Sequence, residues 1–173
     1  MPSSYQPPTR TDDASKRTFS QSIETNTATE SATVRKLLQG KGSDIFSIRP
    51  QETLHRAVEI LRDRRIGALV VTDAAGNLQG ILSERDIVRK LADTPGRTLP
   101  QRVEEVMTER VEVCAPADPL VSVLRRMTKG RFRHMPVVEG ETLVGMVTIG
   151  DVVNYRLNEL EHETLQLKQM IVG

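Results

Sequence analysis

The feature that most constrains the fold of this chain is an internal repeat, two copies of one unit of about sixty residues. Aligning Pro50 with Pro116 keeps apolar residues, a glycine, a hydroxyl and a carboxylate in register, with a one-residue shortening in a turn of the second copy. A chance match would not preserve so many residue types together. The matched pairs are Leu54 and Leu120, Ala57 and Val123, Val58 and Leu124, Leu61 and Met127, Arg65 and Arg131, Val71 and Val137, Gly80 and Gly145, Ser83 and Thr148, and Asp86 and Asp151.

Both copies have the same order of predicted elements, β-α-β-β-α. A short β-like run ends at a proline, and a helix with apolar residues at i, i+3, i+4 and i+7 follows. Two strands joined by a Gly-containing turn come next, and the first of them is apolar and β-branched, as expected for a strand covered on both faces. The predicted segments are Ile45–Ile48, Thr53–Arg64, Ala68–Thr72 and Leu78–Leu82, then Val111–Cys114, Pro119–Lys129, Met135–Val138 and Leu143–Val147; the second helices begin at Ser83 and Thr148.

The predicted fold is therefore α/β (α+β), with two β-α-β-β-α units packed as a pseudo-twofold pair. One unit alone would bury too little apolar surface to be comfortably stable. We assign residues 33–92 to the first unit, 93–102 to a linker, 103–160 to the second unit and 161–173 to a C-terminal helical extension. Residues 1–32 have few large apolar side chains and are rich in Ser, Thr, Gln and Pro, which predicts a disordered tail.

Composition argues against several classes of function. The net charge is +1 and aromatic residues make up 3% of the chain, so we expect no nucleic-acid binding. No apolar run approaches the roughly 20 residues that span a bilayer, and the scattered histidines and single cysteine do not form a metal site. We expect a cytoplasmic protein, with organelle targeting left open because Lys16 and Arg17 fit it while the acidic residues of the tail do not.

A hydroxyl followed three positions later by an aspartate opens the second helix of each copy: Ser83 with Asp86, and Thr148 with Asp151. The simplest interpretation is an N-cap, in which the hydroxyl accepts a backbone N–H. The same geometry suits a nucleotide, because a helix N-terminus favours phosphate and a nearby Asp can accept from both ribose hydroxyls. The two interpretations are compatible, since the hydroxyl can cap the helix while the carboxylate faces a ligand.

These motifs also carry a family resemblance. Residues 80–86 (GILSERD) and 145–151 (GMVTIGD) resemble the Gly-hydrophobic-x-Ser/Thr-x-x-Asp signature of cystathionine β-synthase (CBS) domains, and residues 67–71 and 133–138 match the strand that precedes it. The resemblance covers residues 34–160. It implies a stand-alone CBS pair, or Bateman module, with a regulatory, energy-sensing role. Its ligand would be an adenosine-type small molecule such as AMP, ADP, ATP, S-adenosylmethionine or NAD(H), bound in clefts between the units without a metal.

The resemblance also implies roles for particular residues. Asp86 and Asp151 would bind ribose, and Ser83 and Thr148 would assist at ribose or phosphate. The segment before the middle strand often supplies phosphate contacts in this family, and its cationic residues here are Arg65 in the first copy and Arg131, Arg133 and His134 in the second. Because the first copy has Gly67 and Ala68 where the second has Arg133 and His134, we expect two clefts of unequal affinity. Adenine would lie along the first strand of each unit, near Ile48 and Val113.

Other interpretations of these residues remain open. Arg131 and Arg133 could be solvated surface cations, and His134 a polar residue satisfied at a strand edge. The sequence contains no recognisable nucleophile–base pair or P-loop, so we do not expect an enzyme. The alternative function is a structural or adaptor module, dimeric and without ligands.

The C-terminal segment carries apolar residues at alternating spacings of four and three, which is typical of a short coiled-coil seam. We expect this seam to pair with a second copy in a homodimer; packing on the chain's own module is the alternative. An unidentified regulated protein would complete the set of partners. The seam residues are Val153, Leu157, Leu160, Thr164, Leu167 and Ile171.

Overall fold

The computed structural model describes residues 32–172, so the predicted tail lies, apart from Ala32, outside the described residues. The described part is a mixed α/β structure with two small sheets. In chain order its elements are α1 (Val34–Lys41), β1 (Ser47–Ile48), α2 (Leu54–Arg64), β2 (Ala68–Thr72), β3 (Leu78–Ser83), α3 (Glu84–Asp93), a 3-10 helix (Val103–Glu105), α4 (Leu120–Gly130), β4 (His134–Glu139), β5 (Thr142–Thr148) and α5 (Ile149–Val172).

The first sheet has the strand order β1-β2-β3. β1 runs parallel to β2, and β2 pairs with β3 in antiparallel register from Ala68 opposite Ser83. All of β2 is buried, which agrees with the apolar, β-branched sequence predicted for a strand covered on both faces. Thr108 extends the edge of β3, because its backbone exchanges hydrogen bonds of 2.9 and 3.0 Å with Ile81.

The second sheet contains the antiparallel pair β4 and β5. The strand predicted over Val111–Cys114 is wrong as a strand, because only Cys114 pairs, through one parallel bridge to Val137. The Cys114 N–H donates to the Pro136 carbonyl at 3.0 Å, and the Cys114 carbonyl accepts from the Val138 N–H at 2.8 Å. The Val113 carbonyl instead accepts a hydrogen bond from the Arg126 guanidinium, so it makes no strand-pairing hydrogen bond.

Helix α1 has no counterpart among the predicted elements. Thr33 caps it, since its hydroxyl accepts the Lys36 N–H at 3.4 Å. Val34 and Leu37 are buried, and they pack into the core formed by α4, β4, β5 and the start of α5. Residues 33–41, which the sequence assigns to the first unit, therefore pack with the second.

The segment between the two copies packs on the first unit, just as α1 packs on the second. Val103 is fully buried in the core of the first unit, with Val106 and Met107 packed beside it. The backbone repeats the exchange: the Leu54 N–H donates to the Gln101 carbonyl at 2.8 Å, and the Leu120 N–H donates to the Ala32 carbonyl at 2.9 Å. Each unit is thus completed by the segment that precedes the other unit, so the two halves interlock.

Helix α5 is longer than any other helix in the described range, at 24 residues. It begins at the predicted Thr148–Asp151 motif; Val152 is its last fully buried residue, and Tyr155 packs, partly buried, against the same core. Beyond Tyr155 and Glu159 its side chains are mostly exposed. Within residues 32–172, no helix is both long and apolar enough to cross a membrane.

Candidate functional site

The two units enclose a cleft of about 310 Å³, which we call cleft 1. The N-terminus of α3 forms one side and residues 130–134 of the second unit form the other. Residues 108 and 110–112, which follow the 3-10 helix, also line the cleft. Cleft 1 therefore contains Ser83 and Asp86 together with Arg131, Arg133 and His134, five of the side chains singled out in the sequence.

Ser83 and Asp86 form a reciprocal capping box at the start of α3. The Asp86 Oδ2 accepts from the Ser83 N–H at 2.9 Å and from the Ser83 hydroxyl at 2.6 Å. The Ser83 Oγ in turn accepts the Asp86 N–H at 3.4 Å. Both contacts to the carboxylate end on Oδ2, so Oδ1 accepts no hydrogen bond from residues 32–172. The motif caps the helix and still leaves one carboxylate oxygen in the cleft available to a ligand.

The charge of cleft 1 is positive. Five arginines line it against three carboxylates. Arg85 also spans the cleft, because its Nη1 donates to the Arg131 carbonyl at 3.0 Å and so joins α3 to the second unit. An electropositive, partly enclosed site of this kind attracts phosphate. The arginines are Arg85, Arg89, Arg110, Arg131 and Arg133, and the carboxylates are Glu84, Asp86 and Glu112.

Arg65 and Arg131 occupy equivalent backbone positions with an unusual conformation. Each is the C-cap of its helix, with φ of 54° and 56° respectively. This left-handed region favours glycine, and a side chain there is disfavoured by about 1 kcal/mol. A strained arginine at both positions is an observation that points to a role for the side chain.

We expect Arg131→Gly to separate stability from binding. Glycine relieves the left-handed strain, so the free energy of unfolding should stay within about 1 kcal/mol of wild type. If a phosphate group binds in cleft 1, its affinity should fall about ten-fold, because a charged hydrogen bond to it is lost. Urea unfolding and calorimetry with ATP measure the two effects. Arg65→Gly is the matched control, since it has the same backbone geometry but lines the other cleft; equal losses of affinity in both variants would contradict the assignment.

A second cleft, of about 430 Å³, lies on the other side of the junction between the units and is called cleft 2. Thr148 and Asp151 line it opposite Arg65. The Asp151 Oδ2 accepts the Thr148 N–H at 2.9 Å, and Thr148 Oγ1 accepts the Asp151 N–H at 3.1 Å, as in the first copy. Here, however, Lys41 at the end of α1 forms an ion pair with the same carboxylate.

The two clefts therefore differ in charge as well as in contacts. Cleft 2 has two cations, Lys41 and Arg65, against two carboxylates, Asp44 and Asp151. The Asp151 carboxylate is already paired with Lys41, whereas within the described residues no cation pairs with Asp86. The clefts thus differ in their ion pairs, and the unequal affinity expected from the sequence stays a prediction.

His134 lines both clefts, and so does Gly67. A Cβ on Gly67 would lie 3.2 Å from the imidazole Cε1 and Nε2, so the glycine of the first copy makes room for the histidine of the second. Burial lowers the pKa of His134, while Glu84 and Asp151 oppose that shift and Lys41 and Arg133 add to it. The side chain is a neutral, packed element of the wall between the clefts at pH 7.

We expect the lowered pKa of His134 to make stability depend on pH. In the unfolded protein His134 becomes protonated below about pH 6.5, whereas in the folded protein it becomes protonated only at lower pH. The free energy of unfolding should therefore decrease as the pH falls from about 7.5 to about 5.5. Urea unfolding across this range tests it. His134→Gln should flatten the part of the slope due to this residue; a slope equal to that of the wild type would exclude His134 as the cause.

The two residues predicted to lie near adenine, Ile48 and Val113, line neither cleft. Ile48 pairs with Val71 and points into the core, where it is 5% exposed. Val113 lines neither cleft, and the nearby apolar wall of cleft 1 is Val111, Ile81 and Phe132 instead.

Several lining residues were missed by sequence reasoning, among them Lys41, Asp44 and Arg110. The signal was present in the repeat, since the alignment of Pro50 with Pro116 also places Asp44 opposite Arg110. Cys114 does not belong to the site. It is 3% exposed, and burial raises its pKa to about 11, so its thiol is inert. No cluster of three or more His, Cys, Asp or Glu that could hold a metal occurs in the described part of the chain.

The family model for the CBS domain matches residues 42–93 and 103–158. The chain is 30% identical over 152 residues to the CBS domain-containing protein CBSX3, mitochondrial, of Arabidopsis thaliana, a match that covers 83% of this chain and 74% of that protein. It spans only 41% of the length of another curated relative, an uncharacterised 33.4 kDa protein of Thermofilum pendens, at 35% identity.

Solved structures show the same fold. A CBS-domain containing protein from Agrobacterium tumefaciens is 40% identical, with a TM-score of 0.70 over 72% of this chain and 92% of that one. The CBS domain pair of protein MJ0100, in complex with 5′-methylthioadenosine and S-adenosyl-L-methionine, is 25% identical, with a TM-score of 0.66 over 75% and 98% of the two chains. The predicted repeat and the mixed α/β fold are confirmed: the chain belongs to the CBS domain family and carries two CBS domains in tandem.

Proposed function

We propose that cleft 1 binds an adenosine nucleotide and that the protein is a regulatory module that responds to it. One observation carries the proposal: Asp86, with an oxygen available to ribose, and Arg131 and Arg133, suited to phosphate, come from different CBS domains and meet in one cleft. The apolar wall provides a surface for adenine. The MJ0100 domain pair, which is similar in fold, was solved with two adenosine compounds bound.

The charge of cleft 1 favours some adenosine ligands over others. Phosphates of AMP, ADP, ATP or NAD(H) would meet the arginines with complementary charge. S-adenosylmethionine carries a positive sulfonium, which the same arginines would repel. We therefore rank the phosphate-bearing ligands first for cleft 1.

Occupancy would be transmitted through contacts between the two CBS domains. A ligand shifts a conformational equilibrium only by its differential affinity for the two states. The Arg85 hydrogen bond to the Arg131 carbonyl and the packing of His134 on Gly67 both cross between the domains beside cleft 1. A phosphate that engages Arg131 would change these contacts, and the geometry of the dimer or a regulated protein partner would respond. The proposal includes no catalytic step.

A structural or adaptor role without ligand is the second candidate, and the Lys41–Asp151 ion pair favours it for cleft 2. The Lys41 ammonium already pairs with the Asp151 carboxylate, so the ribose of a ligand would have to compete with it for that carboxylate. In our proposal cleft 2 therefore binds the same ligands more weakly than cleft 1.

Calorimetry of the purified protein with AMP, ATP, NADH and S-adenosylmethionine tests the function. We expect binding of a phosphate-bearing nucleotide with one dominant site per chain. Binding of S-adenosylmethionine alone would contradict the ranking by charge. If none of the four compounds binds, the ligand-sensing function is wrong and the adaptor role stands.

A further inference from the structure

Helix α5 presents an unpartnered apolar seam, and we propose that it pairs with α5 of a second copy as a parallel, in-register, two-stranded coiled coil. The seam positions have the spacing of alternating d and a positions of a heptad repeat. Apart from Thr164, they are between 44% and 83% exposed. The d positions are Val153, Leu160 and Leu167, and the a positions are Leu157, Thr164 and Ile171.

The seam faces away from the rest of the described chain. A helix turns about 100° per residue, which places Tyr155, Asn158 and His162 on the side of α5 opposite the seam. Those three residues line a groove shared with α1, together with Leu37. The polar side of α5 thus faces its own module, while the apolar side has no partner in the described chain. Within residues 32–172 the seam is therefore open to a partner, and we take that partner to be a second copy.

The charges beside the seam favour a parallel partner. In a parallel pair, each g residue faces the e residue of the following heptad on the other helix. The g residue Arg156 then faces Glu161 of the second copy, and the g residue Glu163 faces Lys168 of the second copy. In each of these contacts the two residues have opposite charge. Because the dimer is twofold symmetric, each contact occurs twice.

An antiparallel pair of the same helices would be repulsive. With the a and d layers aligned in opposite directions, e positions face e positions and g positions face g positions. Glu161 would face Glu161 of the second copy, and Glu163 would face Glu163 of the second copy. Like charges in direct opposition destabilise a coiled coil, so charge selects the parallel orientation.

Two leucines on α5 provide a matched test of the seam. Leu167 is 60% exposed on the seam, and Leu165 is 55% exposed away from it. Sedimentation equilibrium of the full chain should show a dimer whose dissociation constant rises more than about ten-fold in Leu167→Ser, because one apolar layer is lost. Leu165→Ser should leave it within about two-fold of wild type. Equal behaviour of the two variants, or a monomeric wild type at about 100 μM, would overturn the proposal.

The orientation is tested by charge and by crosslinking. Arg156→Glu should weaken the dimer, because it places a second carboxylate against Glu161 of the second copy. In an antiparallel pair position 156 would lie near Met170 and the substitution would have no effect. Because Arg156 also pairs with Glu159 at 2.7 Å within the helix, Glu159→Gln is the control and should not weaken the dimer. An unchanged dissociation constant in Arg156→Glu would exclude the parallel register.

Ile171→Cys gives the distance test. In a parallel pair the two introduced thiols are adjacent and should form a disulfide-linked dimer under mild oxidation. In an antiparallel pair Ile171 faces Val153, so the thiols would lie about 27 Å apart. The native Cys114 is buried and does not interfere. A dimer that sediments normally but fails to crosslink through residue 171 would exclude the parallel arrangement.

Discussion

Asp86→Asn is expected to weaken binding of AMP or ATP by about ten- to a hundred-fold, the effect of losing a hydrogen bond to a charged acceptor. The carboxylate uses Oδ2 for the capping box and has Oδ1 available to the ribose hydroxyls. Asparagine can keep the capping contact through its own oxygen, so the helix start should remain intact. Calorimetry measures the affinity, and thermal unfolding checks that the fold is unchanged.

Asp151→Asn is the matched control for this prediction. It occupies the same position in the second copy but lines cleft 2, where Lys41 already pairs with it. Affinity at the dominant site should therefore stay close to wild type. If Asp86→Asn binds as tightly as the wild type, the ribose assignment is wrong even though the family is established.

Gly80→Ala is expected to destabilise the protein by about 1–3 kcal/mol, the usual cost of overpacking a core. A Cβ at Gly80 would lie 2.8 Å from the Met107 sulfur and 2.9 Å from the Thr108 carbonyl oxygen. Thr108 is held by two backbone hydrogen bonds to Ile81, so the backbone cannot withdraw without losing them. Urea unfolding gives the change in the free energy of unfolding.

Alanine substitutions at two other glycines, Gly145 and Gly40, provide controls for the destabilisation by Gly80→Ala. At Gly145 a Cβ would meet only the side-chain carbons of Leu38, at 2.9 and 3.0 Å, which can move more easily than a backbone carbonyl. Gly145→Ala should therefore cost less than Gly80→Ala. Gly40 lies in α1 with nothing within 4 Å of its Cβ position, so Gly40→Ala should stabilise the helix by about 1 kcal/mol or less. The exchanged packing would be contradicted if Gly80→Ala were as stable as Gly40→Ala.

The glycine contacts extend the repeat beyond what the alignment of the prolines reveals. Gly80 packs under Met107, and Gly145 packs under Leu38. Val34 and Val103 are both fully buried at matching places in the exchanged segments. The repeat therefore includes the segment before each unit, and the matching apolar residues of that segment serve the core of the other unit.

Most of the secondary structure was predictable from the sequence because it depends on local patterns. The buried stripe of α2 follows from apolar residues at helical spacing, and β2 follows from an uninterrupted β-branched run. The hydroxyl–aspartate motifs specify the starts of α3 and α5, since capping is satisfied within four residues. The family and the mixed α/β fold followed from these patterns occurring twice in register.

Only the tertiary structure decided which surfaces meet. An apolar periodicity shows that a face is buried but does not identify its partner, and so α1 could be placed with the second unit only from the folded chain. The same holds for cleft 1, where Arg131 lies beside α3 although 45 residues separate it from Asp86 in the sequence. The pairing of Lys41 with Asp151 is a contact of the same kind, 110 residues apart. The sequence repeat thus determined that there are two related clefts. Long-range packing decided which cations line each cleft, and this makes the two clefts unequal.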